Sequence, residues 1–359
     1  MTFKLLLSSL LLNFTMFSSL AQAQHLAYKG IDLDAVGIHK GVQLPSDPGT
    51  SLFGLTFVTG AEGIREKLPT NAILFFPIVV SQWASGSYDA SGKKVAGVGN
   101  ISATALLLRP LYIWPAALQP HNKHLVLTTD FVLPAMVNIH VDAGPPGTPQ
   151  GVGVGGASVG DISFAPVALV WKGYKKPWID FSGYVSVLFN FPTGSYSNKN
   201  VFNVGSNEKS FTVLTNPILT FSRLKKLYWD QELQFTHTMA GNDSFVLDAN
   251  PLTNIAYTGL PMANYTTGDL LTYNTDVLYR LTKSFALGPS VAVMKQISDD
   301  TWNHIAVQNS SQFSVAPGVG LQYAHSGLNF QVKYIGSVSA KNGPRYNVVW
   351  AQFSIPFTF

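Results

Sequence analysis

Residues 71 to 359 hold twelve short stretches that read as β-strands, and the connections between them alternate between long and short. The strands are expected at 71–86, 98–114, 123–142, 159–172, 177–192, 210–223, 226–240, 269–283, 284–298, 310–325, 327–339 and 345–359. The last one sets Val349, Ala351, Phe353, Ile355, Phe357 and Phe359 on one face against Gln352, Ser354 and Thr358 on the other. In the fifth, Ile179, Phe181, Val185, Val187, Phe189 and Phe191 oppose Asp180, Ser182, Tyr184, Ser186 and Asn190. The seventh and eighth alternate in the same way. Side chains alternate along a strand, so these segments are apolar on one face and mostly polar on the other. A strand lying between lipid and a wet lumen has this pattern.

The turns support the same reading. Residues 173–176, 224–225, 283–284 and 326–327 are tight, whereas 193–209, 241–268 and 299–309 are long and rich in Gly, Asn and Ser. A moderately long turn at 115–122 and a short loop at 340–344 depart from the rule. Outer-membrane barrels have an even strand count, short periplasmic turns and long extracellular loops. A soluble sandwich gives no reason for that asymmetry. The expected fold is an all-β transmembrane antiparallel barrel of about twelve strands spanning residues 71–359, with both termini in the periplasm.

Composition agrees. Charged residues make up 12% of the chain, against about 25% in a soluble domain. Mean hydropathy is positive, yet beyond the N-terminus no stretch is apolar for long enough to cross a bilayer as a helix. Backbone polar groups in lipid must be paired internally, which leaves a closed barrel. Residues 1–23 carry Lys4, an apolar run and a small-x-small end at Ala21-Gln22-Ala23, the order expected of a signal peptide cleaved near Ala23. Residues 24–70 read as either a periplasmic lead or a plug in the lumen; a strand at 52–59 would make the count odd. There are no cysteines, so neither disulfides nor thiolate metal sites arise. The formal charge of +4 reflects few acids, and no Lys/Arg cluster exceeds a pair, so nucleic-acid binding is unsupported.

A family resemblance rests on residues 151–221. The elements are a glycine-rich run at 151–160, Gly160-Asp161-Ile162-Ser163-Phe164-Ala165-Pro166, Trp171, Phe191-Pro192-Thr193-Gly194-Ser195-Tyr196, Asn203-Val204-Gly205-Ser206-Asn207 and Pro217. Gly60-Ala61-Glu62-Gly63 and the segment 88–95 also fit. The pattern resembles the phenol meta-pathway degradation protein family. The resemblance implies an outer-membrane transporter of hydrophobic or aromatic small molecules, although fold alone does not establish cargo.

Residues 151–156 match the GxGxxG fingerprint, but Pro145-Pro146 precedes them and a strand follows, so an extracellular loop is expected. His121 and His124 in one turn are too few for a closed metal site. His237, on the lipid phase of the seventh strand, with the nearby Ser244 gives a weak case for a phospholipase-type enzyme. No cofactor or metal is expected. Pro110, Pro134, Pro166, Pro217, Pro289, Pro317 and Pro356 fall inside expected strands. Proline cannot donate to a ladder, so these positions should bulge, bend or mark strand ends; the simpler role is to shape the barrel, and the sharper one is that some of them open the wall sideways. An unbroken ladder past Pro166 and Pro217 would rule that out.

The alternation turns Asp180, Asp230, Glu232, Asp276 and Arg280 inward, with Arg109, Asp130 and Lys333 joining them on the lumenal or substrate path. Tyr184 and Tyr228 share that phase and can stack on an aromatic cargo. Mutual salt bridging is the simpler role for the charges. Passive uptake of small hydrophobic or aromatic compounds is the expected function. A general porin for small polar solutes is the rival, followed by a barrel enzyme. Expected partners are outer-membrane lipid, the small hydrophobic cargo, and the barrel-assembly machinery through the strand ending at Phe359.

Overall fold

The computed structural model describes residues 72–358 apart from 89–90, 95–99, 123, 142–152, 155–157, 197–199, 203, 207, 222–226, 242–264, 303–304, 307–310 and 326–327. The expected signal peptide, the segment 24–70, Ser244 and most of the loop at 241–268 lie outside the described residues. No described helix is long and apolar enough to cross a membrane.

Twelve strands form the barrel: β1 (Ala72–Tyr88), β2 (Ile101–Ile113), β3 (Leu125–Val141), β4 (Ile162–Lys176), β5 (Ile179–Phe191), β6 (Glu208–Phe221), β7 (Leu227–Gly241), β8 (Leu270–Arg280), β9 (Phe285–Gln296), β10 (Phe313–His325), β11 (Leu328–Gly336) and β12 (Gly343–Thr358). Each pairs antiparallel with its sequence neighbours, and β1 pairs with β12 from Ala72↔Thr358 to Tyr88↔Gly343. Closure leaves no edge, so the ladder groups are satisfied within the wall as lipid requires. Short connections gather at one end, with both ends of the described chain. That end is the periplasmic one. At the opposite end Gly153–Val154 pairs with Asn200–Phe202, and Tyr265–Thr266, Thr301–Trp302 and Ile305–Ala306 form a small separate sheet. The glycine run is thus followed by β4 rather than by a helix, which removes the dinucleotide-binding context.

Outward aromatic residues band both ends. Trp83 and Tyr334 face each other near the extracellular rim, and Trp171 stacks on Phe181 near the periplasmic one. Such girdles mark the two membrane interfaces.

The inner surface is polar only in part. On β1 the inward residues are Leu74, Phe76, Ile78 and Val80, and β2 to β4 continue with Leu107, Leu111, Ile113, Val132 and Val170. From β6 round to β12 the inward residues include Asn216, Gln234, Thr272, Asn274, Ser290, Ser314, Gln322, Gln331 and Gln352. On β1 both faces are apolar, because Ile73, Phe75 and Val79 point the other way, so alternation carries no polarity signal there.

The prolines divide into two kinds. At Pro217 the pairing with β5 runs unshifted from Ile179↔Phe221 to Asn190↔Ser210, and the β7 pairing keeps its register across the site. The wall does not slip there, although the β7 pairing skips Asn216 and Pro217, where the Asn216 side-chain amide donates to the Gln231 carbonyl. At Pro166 both ladders slip. Against β3 the pairs pass from Thr128↔Ala168 to Asp130↔Ala165, and against β5 from Phe164↔Phe189 to Ala168↔Ser186. β4 therefore carries one extra residue relative to each neighbour. Pro166 and Val167 both face outward while Ala165 and Ala168 stay inward, which is a bulge of two residues against one.

Candidate functional site

The ten residues singled out from sequence all lie on the inward phase. Most of them join a belt three to five residues from the periplasmic ends of their strands. The belt has two ion-paired clusters, and each forms because a small residue on an intervening strand lets a long side chain cross it.

On the first side, Arg109 of β2 grips Asp130 of β3, with Nε at 3.0 and 3.1 Å from the two carboxylate oxygens and Nη2 at 2.5 Å from Oδ2. The Tyr184 hydroxyl of β5 donates to the same Oδ2 at 2.6 Å. β4 lies between β3 and β5, and its inward residues at this level are Ala165 and Ala168, both buried. Any longer side chain there would block the reach of Tyr184. Arg109 also stands 5.8 Å from the Tyr184 ring centroid and interacts electrostatically with Glu232 on β7, on the far side of the interior.

On the second side, Lys333 of β11 forms an ion pair with Asp276 of β8, and Ser290 of β9 donates to the same carboxylate. Here β10 is crossed at Gly320, where an added Cβ would come within 3.3 Å of the Ser290 hydroxyl and 3.7 Å of Asp276 Oδ1. Lys333 lies 5.7 Å from the Trp350 ring centroid. Asp230 of β7 sits directly opposite Asp276 in the register and accepts from the Asn216 amide at 2.8 Å. Glu232 accepts from Gln234 at 2.5 Å. Like charges facing across one pair are destabilising, so the donors from Asn216, Ser290 and Lys333 offset that repulsion.

The belt thus holds four acids, Asp130, Asp230, Glu232 and Asp276, against Arg109 and Lys333. Arg280 lies nearer the periplasm, over the Tyr228 ring at 4.6 Å. Asp180, half-buried near the periplasmic end of β5, joins neither cluster. The acidic excess predicts that Asp230→Ala with Glu232→Ala moves the zero-current potential in a salt gradient toward anions. An unchanged potential would remove both residues from the ion path.

Sequence reasoning missed Asp161. Its carboxylate accepts from Gly194 N at 2.7 Å, Ser206 N at 2.5 Å and the Ser206 hydroxyl at 2.6 Å. This clamps the feet of the 142–161 and 192–207 loops. A Cβ on Gly194 would meet the Gly205 Cα at 2.7 Å and the Gly160 carbonyl carbon at 2.8 Å. Glycine is therefore required by close backbone approach. Gly160, Asp161, Gly194, Gly205 and Ser206 are all present in the motifs of the family resemblance, and their clustering at loop feet was the available signal. Asp161→Ala should leave the barrel folded but speed proteolysis of the 192–207 loop, read as trypsin cleavage after Lys199, the single basic residue of the two loops.

His237 lies on the outer face near the extracellular rim, with Nδ1 2.7 Å from Asp269 and its ring 5.4 Å from Phe211. The Asp269 amide, not His237, is what contacts the Ser298 hydroxyl, at 2.7 Å. His121 is exposed, and among the described residues no three His, Asp or Glu side chains gather as metal ligands do.

No curated protein matches the chain. The outer-membrane channel COG4313 from Pseudomonas putida F1 superposes with a TM-score of 0.65 at 15% identity, covering 84% of this chain and all of that one. At this identity the likeness establishes a shared barrel. The transport unit of the autotransporter AIDA-I from Escherichia coli has a TM-score of 0.44 at 7% identity, covering 88% of this chain and 99% of that one. The deltaS2 mutant of the monoaromatic hydrocarbon channel TodX has a TM-score of 0.39 at 8% identity, covering 88% and 93%. Neither of the last two bears on function. The fold shared with the Pseudomonas putida F1 outer-membrane channel is a closed antiparallel β-barrel. The model of the family described as "Putative MetA-pathway of phenol degradation" matches residues 84–214 and 223–353, well over half of the chain, and the chain belongs to that family.

Proposed function

We propose that this channel mediates passive uptake of small hydrophobic or aromatic compounds. The observation that carries the reading is an interior with a run of Leu, Phe, Ile and Val on β1 and β2, interrupted by Gln82 and the Arg109–Asp130 pair, facing strands β6 to β12 where buried Asn, Gln, Ser and Thr alternate with apolar residues such as Ile218, Leu278 and Trp350. A pore for ions and sugars has no use for a half-wall of Leu, Phe, Ile and Val. An aromatic molecule with one polar substituent matches both sides. Where the two walls meet, both side-chain polar atoms of Gln331, the Gln352 oxygen and the Trp350 indole N–H are buried without a hydrogen-bond partner. Each such group is costly, by about 1–3 kcal/mol. A cargo that both donates and accepts would relieve it.

The exit we propose is the bulge at Pro166, where β4 pairs poorly with both neighbours beside the Arg109–Asp130–Tyr184 cluster. Deleting Pro166 equalises the residue count against β3 and β5, and is expected to lower uptake while leaving the barrel folded. Unchanged uptake would restrict passage to the barrel axis.

Single-channel recording of the refolded protein tests the reading. Small, intermittent currents are expected, because the belt residues on both sides are covered. Large steady ohmic openings would favour a general porin.

A further inference from the structure

We propose that the outer face of the barrel at the extracellular ends of β9 and β10 binds a phosphorylated glycolipid of the outer leaflet through Lys295 and Lys341. Lys295 pairs in register with Phe313, and Phe313 with Lys341 of the short strand Ser339–Lys341. The three side chains therefore share one face. Gln296, Gln312 and Ala340, the next residues on each strand, are buried inward, so that face is the outer one. Both lysines are exposed, and neither has an ion-pair partner among the described residues. Neighbouring strands lie about 4.8 Å apart, which puts the two lysine positions, one strand removed from each other, about 10 Å apart, a gap that two long flexible stems can close on one phosphate. Phe313 sits between them, and Val291, Val293 and Val315 continue down the same outer face toward the membrane centre.

The pattern is a pair of cations over an aliphatic strip, at the height where lipid headgroups begin. An unpaired charge on the lipid face is tolerated only near the interface, and a lysine at a membrane surface is attracted to anionic headgroups. Among other outward cationic candidates at this rim, His237 is already engaged by Asp269 and Arg345 lies over the Tyr88 ring. Lys209 is exposed on β6 but has no second lysine beside it in the register. Location in the outer membrane is the only premise shared with the proposed uptake.

The test uses the full chain purified in mild detergent from cells with a phosphorylated lipopolysaccharide, with bound lipid measured by native mass spectrometry. Heat-modifiable gel mobility reports folding. Lys295→Gln with Lys341→Gln should weaken retention roughly fivefold per lysine, or about 30-fold for the pair. Lys295→Arg with Lys341→Arg should keep it, and Lys209→Gln should leave it unchanged. A dephosphorylated glycolipid should not be retained, and inorganic phosphate should not displace the intact lipid. Equal retention by the folded Gln pair, equal loss in Lys209→Gln, retention of the dephosphorylated lipid or displacement by phosphate would each overturn the assignment.

Discussion

Replacing Lys333 by Met is expected to destabilise the folded barrel by about 3–5 kcal/mol, since Asp276 would remain fully buried without its cation. Ser290 still donates to that carboxylate, but one hydroxyl contributes only about 1 kcal/mol and does not replace an ammonium. Asp230, directly across the pair, adds repulsion that Lys333 now offsets. Urea unfolding in lipid vesicles should show the loss as a lower midpoint. The double variant Lys333→Met with Asp276→Leu should recover most of it, because a buried ion pair is often neutral against apolar residues of similar volume. Gly320→Val should reproduce part of the single-variant effect, since its side chain would occupy the path Lys333 takes over β10.

Asp130→Leu is the second large effect. It strips Arg109 of three short hydrogen bonds and Tyr184 of one. A buried guanidinium left unpaired costs a similar few kcal/mol. Tyr184→Phe, by contrast, should cost only about 0.5–1.5 kcal/mol, so the two variants separate the ion pair from the hydroxyl. Arg109 freed from Asp130 still feels the charge of Glu232 across the interior. Asp130→Leu should therefore also change the current through the channel, whereas Tyr184→Phe should leave it nearly unaltered. Equal destabilisation by both variants would mean that the cluster is held by packing rather than charge.

The number of strands and their order were legible because β5, β7, β8 and β12 alternate cleanly and the turn lengths alternate with them. The inner face of β1 was not, because a strand apolar on both sides gives no phase. Each inward charge could be assigned from period two alone. Their partners could not, since Tyr184 reaches Asp130 over Ala165 and Ala168, and Lys333 reaches Asp276 over Gly320. Those pairs depend on register across three or four strands, which a single sequence does not display. Pro166 and Pro217 look alike in sequence. Only the residue count on neighbouring strands separates a wall that slips from one that does not. Asp161 was overlooked because its partners come from two loops whose feet meet only in the folded barrel.

Hydrophobic molecules cross simple phospholipid vesicles unaided, so the decisive measurement needs an intact outer membrane. It is the initial uptake rate of a labelled small aromatic compound, and of a sugar of similar size, by cells that make or lack this protein. The proposed function predicts faster aromatic uptake with sugar uptake unchanged. Faster sugar uptake with no gain for the aromatic compound would contradict it.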